Sequence, residues 1–284
     1  MRKRLRQILP FVLASDGSSG LYNSFDIVGD IAIVKLPESS SVNASEVAKS
    51  IMGRHKKVKT VLVQSGPVAG GYRTRKLTFV AGENKTRTVN KESGCLFAVD
   101  VESCYYSPRL SFEHRRIAKL VAPDEVVVNM FAGIGCFSIA IAKVTPRVKA
   151  YSIDINPIAV QFMKENIQLN NVADSVIPIL GDSKLIIEDK LQGIADRVLM
   201  PLPEKALEYL PCAVSALKPA GGWIHYHSFE RAPKTSTAID MTKQKIAEKL
   251  SSMNVPFEVS LLREVRKVGP SKFHIVADVL VKAV

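Results

Sequence analysis

From Ser111 onward the chain alternates short apolar runs of strand character with amphipathic runs at helical spacing, and this limits its possible folds more than any other feature. EVVVNMF, KAYSIDI, SVIPILGD, ADRVLMPLP and GGWIHYHSFE read as strands. Between them CFSIAIAKV, PIAVQFMKENIQLN, a short stretch near Lys184 to Lys190, and KALEYLPCAVSAL read as helices, and SFEHRRIAKLVA leads in as another. Strands that alternate with helices need crossovers, so the pattern predicts a mostly parallel sheet with helices on both faces. After a helix from about Thr237 to Ser252 come FEVSLLREVRKVG and FHIVADVLVKA, separated only by a Gly269-Pro270 turn. They predict an antiparallel hairpin at one edge of that sheet.

The first 108 residues follow a different plan. SFDIVGDIAIVKLPE holds two apolar runs broken by Gly29-Asp30, a hairpin signal. VNASEVAKSIMGRH reads as a helix starting near Asn43 or Ser45, and VKTVLVQS, RKLTFVAGE and GCLFAVDVESCYYS read as strands. We therefore expect a small α+β domain over residues 1–108 and an α/β domain over 109–284. At 284 residues and 46% hydrophobic, the chain can build both cores, which excludes a disordered chain. The net charge of +12 is unevenly placed: residues 1–120 carry 20 basic against 10 acidic side chains, the remainder 19 against 17. A basic lobe suggests a module that grips a polyanion, and a solvated basic surface is the alternative. No run approaches 18 apolar residues, and MRKRLRQILPFVLASDG has too short an apolar stretch for a signal peptide. Cys95, Cys104, Cys136 and Cys212 show no CxxC pairing or zinc spacing, so a reducing cytoplasm and no metal are expected.

EVVVNMF runs directly into Ala132-Gly133-Ile134-Gly135 and a helix. Two glycines there allow a tight turn and a close ligand at a helix N-terminus, the crevice where open α/β sheets bind nucleotides. Asp154 ends the next strand, 21 residues after Gly133, where a carboxylate can accept from ribose hydroxyls. A third strand ends in Gly181-Asp182; Asp182 can meet an adenine amino group or cap the helix that starts at Ser183. Phe131, Gly133, Gly135, Asp154, Ile155, Asp182 and Ser183 are the expected cofactor residues. No third phosphate-binding glycine and no GKS or GKT is present, which speaks against dinucleotides and nucleoside triphosphates. S-adenosylmethionine remains.

FAGIG, SIDINP, ENIQLNN, IPILGD, GIADRVLMPLP and GGWIHYH, together with FDIVGDIAIVKLP, GGYRTRKLTFVAGE and YYSPRLSFE, resemble the archaeal tRNA (guanine-N1)-methyltransferases that modify guanosine 37, and their relative, the wybutosine-pathway aminocarboxypropyl transferase. The resemblance covers the chain from Ser24 onward. It implies a class I, Rossmann-like methyltransferase core behind a small N-terminal α+β domain, and a monomer that binds the tRNA anticodon loop and no membrane. Some versions carry a further N-terminal domain that checks the tRNA's outer corner; this chain starts about where it would end, so that check is not carried over.

Methylating guanine N1 needs a base near N1 and a cation or donor at O6. The resemblance places the base at Glu113, in SPRLSFE, and the O6 contact at Arg73, in GYRTRK; Arg75 is a nearby competitor. An i to i+4 ion pair with Arg109 is the plain alternative for Glu113. Tyr105 and Tyr106 could stack on a base or belong to the core, and Arg109 and Pro201 complete the expected substrate side. Arg54, Lys56, Lys57 and Lys59 form a run suited to phosphates or to simple solvation, and RAPKTST, from Arg231, could also touch RNA. His225 and His227 share one face of their strand and read as packed or hydrogen-bonded. The family's strand-four Asn is replaced in Met200-Pro201-Leu202-Pro203, and the usual acid before MFAG is Asn129. Aminocarboxypropyl transfer and a catalytically inactive tRNA-binding relative are the competing functions.

Overall fold

The computed structural model describes residues 25–36, 43–66, 68 and 70–283. The N-terminal basic stretch read for targeting lies outside them. The chain divides into two compact units, Met1–Ser111 and Phe112–Val284.

In the first unit, β1 (Phe25–Val28) and β2 (Ile31–Lys35) form the expected hairpin, with Val28 opposite Ile31. Gly29 turns it at φ +55°, and a Cβ there would collide with Thr88 Oγ1, so both conformation and space require glycine. Helix α1 (Ala44–Arg54) starts where Asn43 caps it, accepting from the Ser45 N–H at 2.9 Å. Val47, Ala48 and Ile51 bury one face of α1 against Phe25, Ala32, Val34 and Val61. As a crossover, α1 lets β3 (Thr60–Gln64) pair parallel to β2, and β4 (Leu77–Gly82) closes the sheet antiparallel to β3. A second hairpin joins β5 (Arg87–Glu92) to β6 (Cys95–Asp100). Strand β5 is absent from the sequence reading because RTVNKE has no apolar alternation; its inward residues, Thr88 and Glu92, are polar.

The second unit opens with α2 (Ser111–Ala118), whose first residue ends the preceding unit. It continues β7 (Val126–Asn129), α3 (Cys136–Val144), β8 (Lys149–Asp154), α4 (Pro157–Leu169) and β9 (Val176–Leu180). A short α5 (Ser183–Ile186) runs into a π-helical turn over Ile187–Leu191. Then follow β10 (Arg197–Met200), α6 (Ala206–Ala216), β11 (Gly221–Arg231), α7 (Thr235–Ser251), β12 (Phe257–Gly269) and β13 (Lys272–Lys282). The seven strands lie in the order β12-β13-β11-β10-β7-β8-β9. All pairs from β11 to β9 are parallel, and the β12–β13 hairpin is antiparallel at one edge, as expected. All of β10 and the run Ile224–Ser228 of β11 are buried, so both faces of the central sheet are covered. Val128, Met130, Val198, Ile224, Leu210 and Ile246 meet in one core that holds the strand ends rigid. Among the described residues no helix is long and apolar enough to cross a membrane.

Candidate active site

The carboxyl ends of β10, β7, β8 and β9 lie side by side, because Leu199 pairs with Asn129, Asn129 with Ser152, and Asp154 with Leu180. This register gathers the loops after each strand into one crevice. Gly135, at φ +92°, starts α3, and a Cβ there would sit 2.9 Å from Met163 Cγ, so the turn after β7 admits no side chain. Asp154 organises the turn: its Oδ2 accepts from the Gly133 N–H at 2.6 Å and its Oδ1 from the Asn156 N–H at 2.9 Å. Burial raises the Asp154 carboxyl above its ordinary pKa, against those backbone hydrogen bonds. The Ile155 N–H also bonds this carboxylate, which leaves one of its roughly four acceptor sites for a ribose hydroxyl.

Of the two roles that the sequence offered for Asp182, the structure shows the helix cap. Its Oδ1 caps α5 through the Lys184 N–H at 2.8 Å, while its Oδ2 accepts from the Tyr209 hydroxyl at 2.8 Å. Tyr209 meets Phe131 edge-on, with centroids 5.2 Å apart, and burial followed by the Asp182 contact raises its phenol pKa. Sequence reasoning missed Tyr209, since an aromatic in KALEYLPCAVSAL looks like core. Beside these groups Ile155 is 51% exposed, an apolar side chain that a purine would cover. Of the buried polar atoms without a hydrogen-bond partner, two belong to residues at these strand ends: Asn129 Oδ1, whose amide donates to Ser138 Oγ at 3.1 Å, and Ser183 Oγ. A carboxylate for a ribose, an acid and apolar surface for a purine, and an unsatisfied acceptor at Asn129 fit an adenosine-bearing ligand with a cationic tail. Asp154→Ala is therefore expected to weaken binding of such a ligand at least about tenfold, having lost a charge-assisted hydrogen bond of about 1.5–3 kcal/mol and the acceptor that shapes the turn. Calorimetry checks this, and unchanged affinity contradicts it.

Glu113 is fully buried at the start of α2. Its Oε2 accepts from Arg116 Nε at 3.0 Å and its Oε1 meets Arg263 Nη2, so two guanidinium groups compensate its charge. The i to i+4 pair with Arg109 does not form; Arg109 Nε instead donates to Asp26 Oδ1 at 2.7 Å, within the first unit. Arg116 is bidentate to Asp278, at 2.5 and 3.0 Å, and Asp278 also takes His225 Nδ1 at 2.6 Å. Arg197 donates to His225 Nε2 at 2.7 Å, so the imidazole is the neutral Nδ1–H tautomer, in line with burial lowering its pKa. The expected hydrogen-bonded role of both histidines matches this placement, since His227 Nδ1 lies 3.0 Å from His274 Nε2.

Arg73 has its guanidinium 4.1 Å above the Tyr105 ring and holds a positive φ of 54°, which is rare for an arginine. Arg75 is 9% exposed and donates to the Tyr106 carbonyl at 2.6 Å, a structural placement that leaves Arg73 as the candidate. Tyr106 is also structural: it is 3% exposed and its hydroxyl donates to Glu92 at 2.8 Å, which closes it to base stacking. Lys56 and Lys57 are exposed after α1. Of RAPKTST, Arg231 and Lys234 are exposed, while Thr235 begins α7 and bonds Glu264 at 2.7 Å. Among the described residues no cluster of side chains could hold a metal.

An open sheet of parallel strands with an antiparallel edge hairpin, and an adenosine-type crevice at the strand ends, defines a class I methyltransferase core. Residues 88–259 match the TRM5/TYW2 methyltransferase domain and residues 5–86 the TYW2 N-terminal domain, and the chain belongs to this family. It is 40% identical to the tRNA (guanine(37)-N(1))-methyltransferase Trm5b of Pyrococcus abyssi over 91% of this chain and 74% of that protein. It is 35% identical to the tRNA 4-demethylwyosine(37)-methyltransferase Taw21 of Saccharolobus solfataricus, over 91% and 94%. A tRNA(Phe) (4-demethylwyosine(37)-C(7)) aminocarboxypropyltransferase of Methanocaldococcus jannaschii is also 35% identical, over 88% and 95%. Among solved structures, the complex of aTrm5 with tRNALeu superposes at a TM-score of 0.84 with 32% identity, covering 99% of this chain and 79% of that one. M. jannaschii TYW2 in complex with AdoMet superposes at 0.67 with 27% identity, covering 92% and 100%.

Proposed function

We propose that this protein methylates N1 of guanosine 37 in tRNA, using S-adenosylmethionine, and acts as a monomer in the cytoplasm. The observation that carries the reading is the fully buried Glu113, held by Arg116 and Arg263 in the same unit as a crevice suited to adenosine. Asp154, Asp182, Phe131 and Ile155 would hold the cofactor, whose bound sulfonium supplies an electrophilic methyl. Glu113 accepts the N1 proton, so that the nitrogen lone pair is available to the methyl. Arg73 donates to O6, where negative charge develops as that proton leaves. The protein should label a transcript with guanosine at position 37 and leave one with adenosine there unlabelled, since adenine offers neither an N1 proton nor O6. Equal labelling of both would overturn the reading.

Pro201 favours a second reading. It stands where the family's guanine methyltransferases carry an Asn, and proline supplies no N–H or side-chain amide. Together with the likeness to Taw21, this points to methylation of the 4-demethylwyosine base. Under the first reading a main-chain carbonyl near Pro201 holds the guanine's amino edge. Pro201→Asn should then change the guanosine rate by less than about tenfold, or 1.4 kcal/mol in barrier. A larger gain in single-turnover rate would show that the unaltered pocket is built for the other base.

The basic first unit is proposed to grip the RNA backbone. Changing Lys56 and Lys57 to Glu should flatten the plot of log tRNA affinity against log salt by about one unit per lost phosphate contact, with cofactor binding unchanged. A slope near zero for the unaltered protein would remove RNA as the partner.

A further inference from the structure

Phe112 is 55% exposed on the first turn of α2. Packing does not account for a phenylalanine there, because the buried face of α2 is made by Glu113, His114, Ile117 and Ala118. Two cations frame the ring: the Arg263 guanidinium lies 5.2 Å from its centroid and that of Arg115 5.9 Å. Arg115 is exposed, and Arg263 is 29% exposed on the edge strand β12. Arg263 also touches the Glu113 carboxylate through Nη2, so one guanidinium joins the exposed ring to the buried acid.

A half-exposed aromatic ring with two cations over it suits a nucleobase joined to phosphate better than an apolar protein segment, because the cations favour a polyanion and the ring accepts any base. We infer that Phe112, with Arg115 and Arg263, is a stacking platform for an unpaired tRNA base adjacent to the nucleotide under modification; this rests on the tRNA reading above. A nucleotide drawn out of its stack to reach Glu113 strips its neighbour of a stacking partner. Phe112 precedes Glu113 in the chain and shares Arg263 with it, so it stands where the neighbouring base needs a new partner. Arg115 reaches a phosphate of the same segment.

The test uses tRNA transcripts with 2-aminopurine at position 36 or 38, titrated with the full chain and read by fluorescence and by affinity. The unaltered protein should quench one of the two probes, and Phe112→Leu, which keeps the apolar bulk, should abolish that quench and weaken tRNA binding about tenfold without changing the salt slope. Phe112→Trp should restore the quench, and Arg115→Gln should lower the salt slope by about one unit. Calorimetry with S-adenosylhomocysteine should give unchanged affinity in each variant and so report an intact fold. If the unaltered protein binds tRNA but quenches neither probe, or if Phe112→Leu binds and quenches as the unaltered protein does, the platform is overturned and the patch is a protein contact. If the unaltered protein does not bind tRNA, the functional reading fails first and the platform falls with it.

Discussion

Glu113→Gln is expected to lower the single-turnover rate about 100-fold or more at saturating tRNA and cofactor, while both affinities stay nearly unchanged. Glutamine keeps the volume of the side chain, so the buried pocket between Arg116 and Arg263 remains filled. It cannot take a proton from N1. Raising the pH should partly rescue the variant, because hydroxide can remove that proton in place of the lost carboxylate. Stability falls in either case, because Arg116 and Arg263 lose a counter-charge; a merely structural Glu113 differs in that the rate at saturation holds and the pH profile does not move.

Asp278→Ala is expected to destabilise the second unit by about 3–5 kcal/mol at neutral pH, measured by urea unfolding. Asp278 is 5% exposed and takes hydrogen bonds from both Arg116 and His225, so its removal takes the bidentate partner from the partly buried Arg116, which keeps only Glu113, and leaves a buried imidazole N–H unmatched. The same groups set an acid limit on the fold. Burial lowers His227 to about 3, so in the native state it stays neutral where the unfolded chain, titrating near 6.5, binds a proton. Its contribution is complete above that unfolded value and is lost as pH falls towards about 3. Burial opposes ionisation of Asp278, but the His225 and Arg116 hydrogen bonds outweigh it and hold its pKa below the ordinary carboxylate range. Its contribution is lost further into acid, below the unfolded carboxylate pKa. The unfolding midpoint should therefore drop steadily from pH 7 to pH 4, and a flat profile would contradict the assignment of His227.

The sheet was legible because its signals are local: five strand runs, the helices between them and the turn at Gly269-Pro270 each fit within a few residues. The crevice at the strand ends was legible for a similar reason, since parallel strands bring the ends of EVVVNMF and KAYSIDI together automatically. Strand β5 was not, because its inward side chains are polar and its partner is the next strand rather than an apolar core. The setting of Glu113 was hidden by distance along the chain: Arg116 and Asp278 are 162 residues apart in sequence. Two signals were available. Arg116 stands three residues after Glu113, where helical neighbours meet, and Asp278 is the one acid in the apolar strand FHIVADVLV, where a buried charge must find a partner. Counting charge by lobe placed Arg115 in the basic part and Arg263 in the near-neutral part, and so did not show that the two meet beside the exposed Phe112.

Mass analysis of nucleosides from tRNA with an unmodified guanosine 37, incubated with purified protein and S-adenosylmethionine, tests the central claim most directly. The account predicts one new nucleoside, a guanosine carrying a single methyl group that co-elutes with 1-methylguanosine. An aminocarboxypropyl adduct, a methyl group found only when the tricyclic wyosine precursor is supplied, or no transfer at saturating tRNA and cofactor would contradict it.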